Sequence, residues 1–323
     1  MPHILDKNIA LVILLLILSF WLAACDFKPE SRVLKVGTNQ WMGYEPLFLA
    51  REKGQFDPSR VKLVELQSST DTLRLLRAGM IDAGMLTLDE VLSEVALGTE
   101  LEIVMVVDAS EGADILLAKP GINHLADIKG KRVGVENSAV GATLLNGALI
   151  AAGLNVSDIV VVPLKLNQHF SAYVQNKVDV LATFEPISSK LLKRGAVKLF
   201  DSSQIPNQII DVLAVRKSVV IQAQYNIKML IEGYFFALEY LKNYPQDATN
   251  IMAPRLGISS ADMLIGYEGI TLLGKEENKR LFADQPKEIV KITNTLQKIL
   301  IRANLLTQKV DTDKLFNAQF VVP

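Results

Sequence analysis

One local plan occurs twice in this chain, and that repetition limits its possible folds more than any single motif does. Leu34-Lys35-Val36-Gly37 leads through Asn39 and Gly43 into an apolar stretch of helical spacing, and Lys131-Arg132-Val133-Gly134-Val135 leads through Asn137 and Gly141 into another. The next units match in kind: VELQSSTDTLRLLRAGMIDAGMLT in the first half and VPLKLNQHFSAYVQNKVDVLATFEP in the second, with Asp82 and Asp179 in equivalent places. Each copy reads strand, polar glycine loop, helix, strand, so the class is α/β with strands paired mainly in parallel through crossover helices. The 323 residues exceed one ordinary core of about 100–200 residues. Two similar lobes follow, with strand-end loops facing each other across a cleft; generic likeness between α/β units is the competing reading.

The apolar run Gln208–Val215 reads as a strand returning the chain to the first lobe, with Ala113–Ala118 as its outgoing partner, and two such crossings would make a hinge. From Ser218 onward the pattern is helical, with Ile231–Leu241 and Pro286–Ala303 expected as the outer layer of the first lobe. Tyr234, Phe235 and Tyr240 fall on the buried face of the first of these and are expected in the core rather than on a ligand.

Ahead of the repeats, Ile9–Ala24 carries no charge and follows a short polar start containing Lys7. It is shorter than the ~20 apolar residues of a membrane span and ends in small residues, as an export signal does before cleavage. An uncleaved anchor and a buried core helix are the alternatives. Leu22-Ala23-Ala24-Cys25 resembles a bacterial lipobox, and Cys25 is the one cysteine, so lipidation there, palmitate included, is expected and no internal disulfide is available. Asp26, next in line, resembles the retention signal of Gram-negative inner-membrane lipoproteins. The expected address is the cell envelope, lipid-anchored to the outer face of the cytoplasmic membrane. The divisions are then 1–24 signal, 25–32 tether, 33–115 with 212–323 lobe I, and 116–211 lobe II. The balance of 34 basic and 35 acidic residues gives no footprint for nucleic acid.

Several segments together resemble the taurine/alkanesulfonate/nitrate-type solute-binding proteins, a family that also includes binders of thiamine pyrimidine precursors. They are Val36-Gly37-Thr38, Trp41 through Leu47 (WMGYEPL), Arg51-Glu52-Lys53-Gly54, Ala78 through Ala83 (AGMIDA), Gly121 through Leu125-Ala126-Asp127-Ile128-Lys129-Gly130-Lys131-Arg132-Val133-Gly134, and Phe184-Glu185-Pro186. The resemblance implies a type II periplasmic-binding-protein fold, with two lobes, two crossover strands as hinge and a solute trapped on closure. It also implies an ABC permease and ATPase as partners, a monomer, and no cofactor.

Ligand contacts are expected from the strand-end loops. Trp41, Gly43 and Tyr44 offer an aromatic wall, a close backbone approach and polar tips, or Trp41 is simply packed. Ser68, Ser69 and Thr70 precede a helix and either face a ligand or cap that helix; Asn137, Ser138 and Gly141 form the matching loop, and Thr87 ends another strand. The loops 38–46, 68–72, 86–88 and 136–143 contain no lysine or arginine, while Glu45, Asp108, Glu185 and Asp211 stand near strand ends. A buried carboxylate needs a partner, and a ligand amine would serve. Glu185 is the leading carboxylate. A nitrogen-containing, zwitterionic or sulfonate-like solute follows, because helix N-termini also hold sulfonates without basic side chains.

Catalysis has no visible residues. His3, His124 and His169 make no metal spacing with each other or with Cys25, and no nucleophile-elbow or phosphate-loop pattern occurs, so a thiamine-pyrimidine-synthase-like enzyme is the weaker reading. His169 is expected on the surface. A ligand sensor that presents its closed form to a membrane receptor remains the other non-enzymatic reading.

Overall fold

Both repeats fold as the same strand–helix unit in the computed structural model, which describes residues 32–136, 138–283 and 287–322. The first comprises β1 (Leu34–Thr38), α1 (Glu45–Glu52), β2 (Val61–Glu65), α2 (Ser69–Arg77) and β3 (Ala83–Thr87). After α3 (Leu88–Ala96), β4 (Leu101–Ser110) and β5 (Ile115–Ala118) comes the second: β6 (Arg132–Glu136), α4 (Ala139–Ala152), β7 (Val160–Leu164), α5 (His169–Val174) and β8 (Val180–Thr183). Then follow α6 (Ile187–Leu192), β9 (Val197–Asp201), β10 (Ile210–Arg216), α7 (Lys217–Val220), α8 (Gln224–Asn243), α9 (Pro245–Leu256), α10 (Ser260–Gly266), β11 (Ile270–Leu272), α11 (Lys275–Ala283) and α12 (Glu288–Arg302). No helix among the described residues is long and apolar enough to cross a membrane.

The strands make two sheets, ordered β11-β4-β10-β3-β1-β2 and β7-β6-β8-β5-β9. β2-β1-β3 and β7-β6-β8 are parallel, as crossover helices require, whereas β10 and β11 in the first sheet and β5 and β9 in the second are paired antiparallel. Central strands β3 and β10 are buried almost throughout and read as apolar runs, while β7, at an edge, is mostly half-buried or exposed.

The repeat is visible in its fixings. Asp82 Oδ2 accepts the Lys35 amide and Asp179 Oδ2 accepts the Arg132 amide, both at 3.0 Å and both across 47 residues. Each carboxylate ties the start of the first strand in its unit to the turn before the third.

The chain leaves the first sheet through 111–114 and returns through 202–209, a few residues ahead of the expected 115/116 and 211/212. β5, which follows the outgoing passage, lies between β8 and β9, and β10, which follows the returning one, lies between β3 and β4. The two passages are nevertheless joined. Ser110 and Ser202 share a 2.7 Å hydroxyl contact, Ser202 Oγ accepts the Gly112 amide at 2.7 Å, and the Asp114 carbonyl accepts the Ser202 amide at 2.9 Å.

The helices after β10 do layer against the first sheet, with Tyr234 and Phe235 buried and Tyr240 partly so. That region is not wholly helical, because β11 adds to the edge of β4; at three residues it is too short to show a period.

Candidate functional site

The site lies where strand ends of the two sheets meet. Trp41 follows β1 and Tyr44 stands just before α1; both are buried, and their polar atoms turn to carboxylates on β4 and β10. Trp41 Nε1 donates to Asp108 Oδ2 at 3.1 Å, and the Tyr44 hydroxyl donates to Asp211 Oδ1. In the ladder Asp211 stands opposite Asp108 on one side and Thr87 on the other. Gly43 makes this approach possible: a Cβ there would overlap Asp108 Oδ2 and lie 2.6 Å from Trp41 Nε1. The Tyr234 hydroxyl holds the loop from below, donating to the carbonyls of Gly43 and Val107 at 3.2 and 3.3 Å.

Between the two sheets lies a small chamber of about 20 Å³ lined by Asn39, Trp41, Tyr44, Ser69, Thr87, Asp114, Val140, Phe184, Ile209 and Asp211. That is room for about one water molecule. Trp41 meets Phe184 edge-on, with centroids 5.3 Å apart, so the aromatic wall takes one ring from each side of the cleft. Outside it opens a cavity of about 270 Å³, walled by Gln40, Leu66, Leu166, Phe170, Ile187 and Arg255 among others, and Asn39 lines both.

Carboxyl groups dominate the electrostatics. Burial raises the proton affinity of Asp108 and Asp211, and the charge of Asp108 raises that of Asp211 further. Two facing carboxyls in low dielectric hold one proton between them rather than two charges. Burial also pushes Asp114 and Glu136 up to about 7 and Glu90 to about 8. Glu136, at the end of β6, reaches across the cleft to the first turn of α2, its Oε1 accepting the Thr70 amide at 3.5 Å. Asp89 makes a second bridge, accepting the Thr143 hydroxyl at 2.5 Å.

Of the residues singled out in the sequence, Trp41, Tyr44, Ser69, Thr87 and Asp211 line the chamber, with Gly43 and Asp108 directly behind. Ser68 caps α2, accepting the Asp71 amide at 3.2 Å, and Thr70 meets Glu136. Ser138 stands at the N-cap position of α4 without a side-chain capping bond, beside a separate opening that Thr70, Arg74 and Glu90 also line. Gly141 is a packing position, where a Cβ would stand 2.5 Å from Val135 and 2.9 Å from the Glu136 carbonyl. The Glu185 carboxylate lines neither cavity; it accepts the Ser189 hydroxyl at 2.7 Å within its own helix turn, and its neighbour Phe184 faces the chamber instead. Glu45 is spoken for by Arg255 Nε at 3.0 Å. Asn137 and Cys25 lie outside the described residues.

Sequence reasoning missed Asn39, Asp89, Glu90, Asp114 and Glu136 as parts of the site; each stands at or within three residues of a strand end, the signal that found the others. His169 is a correction. It is buried under β8 with Nδ1 3.1 Å from Thr183 Oγ1, and burial drives its pKa down to about 4, so the ring is neutral. Among the described residues no group of three or more histidine, aspartate or glutamate side chains is arranged to hold a metal ion.

The model of the NMT1-like family matches residues 27–257, well over half the chain. The chain belongs to the NMT1-like family. The "Putative aliphatic sulfonates-binding protein" of Escherichia coli (strain K12) is 28% identical over 200 residues, covering 60% of this chain and 61% of that protein. The chain thus spans about three fifths of the length of the curated relatives it matches. The alkanesulfonate-binding protein SsuA from Xanthomonas axonopodis pv. citri, solved bound to MOPS, superposes with TM-score 0.76 at 18% identity, over 88% of this chain and 98% of that one. The desulfurization enzyme DSZB superposes with TM-score 0.62 at 18% identity, over 90% and 97%. This NMT1-like chain therefore has the two-lobed periplasmic-binding-protein fold, and the shared fold spans proteins named as binders and one named as an enzyme.

Proposed function

We propose that this NMT1-like protein is the substrate-binding component of an ABC importer, closing two lobes, 33–115 with 212–323 and 116–211, on a small nitrogen-containing, zwitterionic or sulfonate-like solute and handing it to a membrane permease. One observation carries the reading: a small chamber lined from both sheets at their strand ends, beside paired passages that suit a hinge. The sulfonate-binding names among its relatives support the same role. Cys25 would carry the lipid that keeps the protein at the outer face of the cytoplasmic membrane, and export would follow from the apolar segment before it.

The likeness to a desulfurization enzyme is the one observation for turnover. Against it, the buried His169–Thr183 pair lines neither cavity. Thermal unfolding of the full chain in detergent, against taurine, alkanesulfonates, nitrate, aminopyrimidines, polyamines and amino acids, tests the proposal. A specific ligand at 100 times its dissociation constant adds about 2.7 kcal/mol, a clear rise in midpoint. Chemical conversion of the bound compound would contradict it.

A further inference from the structure

Six carboxyl groups, those of Asp89, Glu90, Asp108, Asp114, Glu136 and Asp211, are buried where the two sheets face each other, and none of them is ion-paired with a lysine or arginine among the described residues. The contrast with their surroundings is sharp. Glu45 and Glu65 share Arg255, Asp71 has Arg74 and Lys165, and Glu94 has Arg77. Basic side chains thus serve the carboxylates around the cleft and none inside it. Burying carboxyls without cations is costly unless they take up protons or something else supplies the positive charge.

A second observation, independent of the acidic groups, says what that something must present. Asn39 is only 6% exposed and lines both the chamber and the outer cavity, yet its side-chain oxygen accepts from no donor. Asp108 Oδ1, Glu90 Oε1 and Glu136 Oε2 are likewise buried without a donor. The Asn39 amide oxygen can only accept, and the Thr87 hydroxyl, also orphaned at the chamber, can accept as well, so the complementary ligand brings N–H groups. Trp41, Tyr44 and Phe184 complete the enclosure, and aromatic walls favour a cation. The first turn of α2, one of the helix N-termini at the cleft, already holds the Glu136 carboxylate.

We propose that the chamber binds the protonated head of an organic amine, a primary ammonium, held by the Asp108–Asp211 pair, Asp114 and Asn39 with Trp41 and Phe184 as walls. The body of the molecule extends toward the outer cavity, which Asn39 also lines. This inference rests on the chamber being the solute site.

Calorimetric titration of the full chain in detergent with five probes tests it: propylammonium, acetamidinium, tetramethylammonium, propanesulfonate and calcium chloride. Propylammonium is expected to bind, with acetamidinium, whose head is larger, and tetramethylammonium, which is larger and has no N–H, at least tenfold weaker. Asp211→Asn, which keeps the shape, should weaken the amine at least tenfold; Asn39→Leu should do so without altering the carboxyls, and serves if the first variant does not fold. Binding of propanesulfonate or calcium in place of the amines overturns the amine assignment while leaving solute binding intact. No heat from any probe overturns the assignment too, and if the full chain then also retains no compound from a small-molecule cell extract, solute binding falls with it.

Discussion

Gly43 shows how a single residue shapes the site. Its lack of a side chain lets the Asp108 carboxylate and the Trp41 indole close on each other, so Gly43→Ala should cost about 1–3 kcal/mol, the usual penalty for overpacking, and should disturb the Trp41–Asp108 bond. Chemical denaturation and the near-ultraviolet signal of Trp41 read the two effects; unchanged values in both would remove the glycine from the argument. Much of this scale was legible in the sequence. Trp41, Tyr44, Asp108 and Asp211 were all named from strand-end position alone. What hid was orientation: Glu185 has the right neighbourhood but bends back to Ser189, and Asp114 looked like part of a strand running from Ala113, whereas the strand starts at Ile115.

At the scale of elements, the two passages between sheets act together through Ser202. Its hydroxyl meets Ser110 and accepts the Gly112 amide, so Ser202→Ala leaves buried polar groups short of partners at an expected cost of about 1–3 kcal/mol. A loss of stability below about 0.5 kcal/mol would mean that the paired passages are held by other contacts. The repeated units were the most legible elements, because period, glycine loops and the Asp82 and Asp179 fixings all recur. The antiparallel neighbours of each crossing strand were not legible. Nothing local to Ile210–Arg216 says that it inserts between β3 and β4, since that choice is made by packing across the sheet.

For the whole molecule, the buried carboxyls set how stability responds to pH. Glu45, Asp114 and Glu136 are pushed up to about 7 and Glu90 to about 8, in each case chiefly by burial. The folded state therefore holds more protons than the unfolded chain from about pH 4 to 8, so their contribution is full below the unfolded values and is lost as pH rises through the folded ones. His169, held down to about 4, works the other way between about 4 and 6.5, but it is one group against four. The ligand-free protein is expected to melt at a higher temperature at pH 5.5 than at pH 8, and a flat or rising profile over that window would contradict the burial of these groups.

The account stands or falls on capture of a solute in the chamber, which native mass spectrometry of the detergent-solubilised chain after exposure to a small-molecule cell extract reads directly. The expected result is one small adduct on the wild type, chemically unaltered on release, bearing a protonatable nitrogen, and lost in Asp211→Asn. An adduct that survives the substitution, emerges converted, or never forms would contradict it.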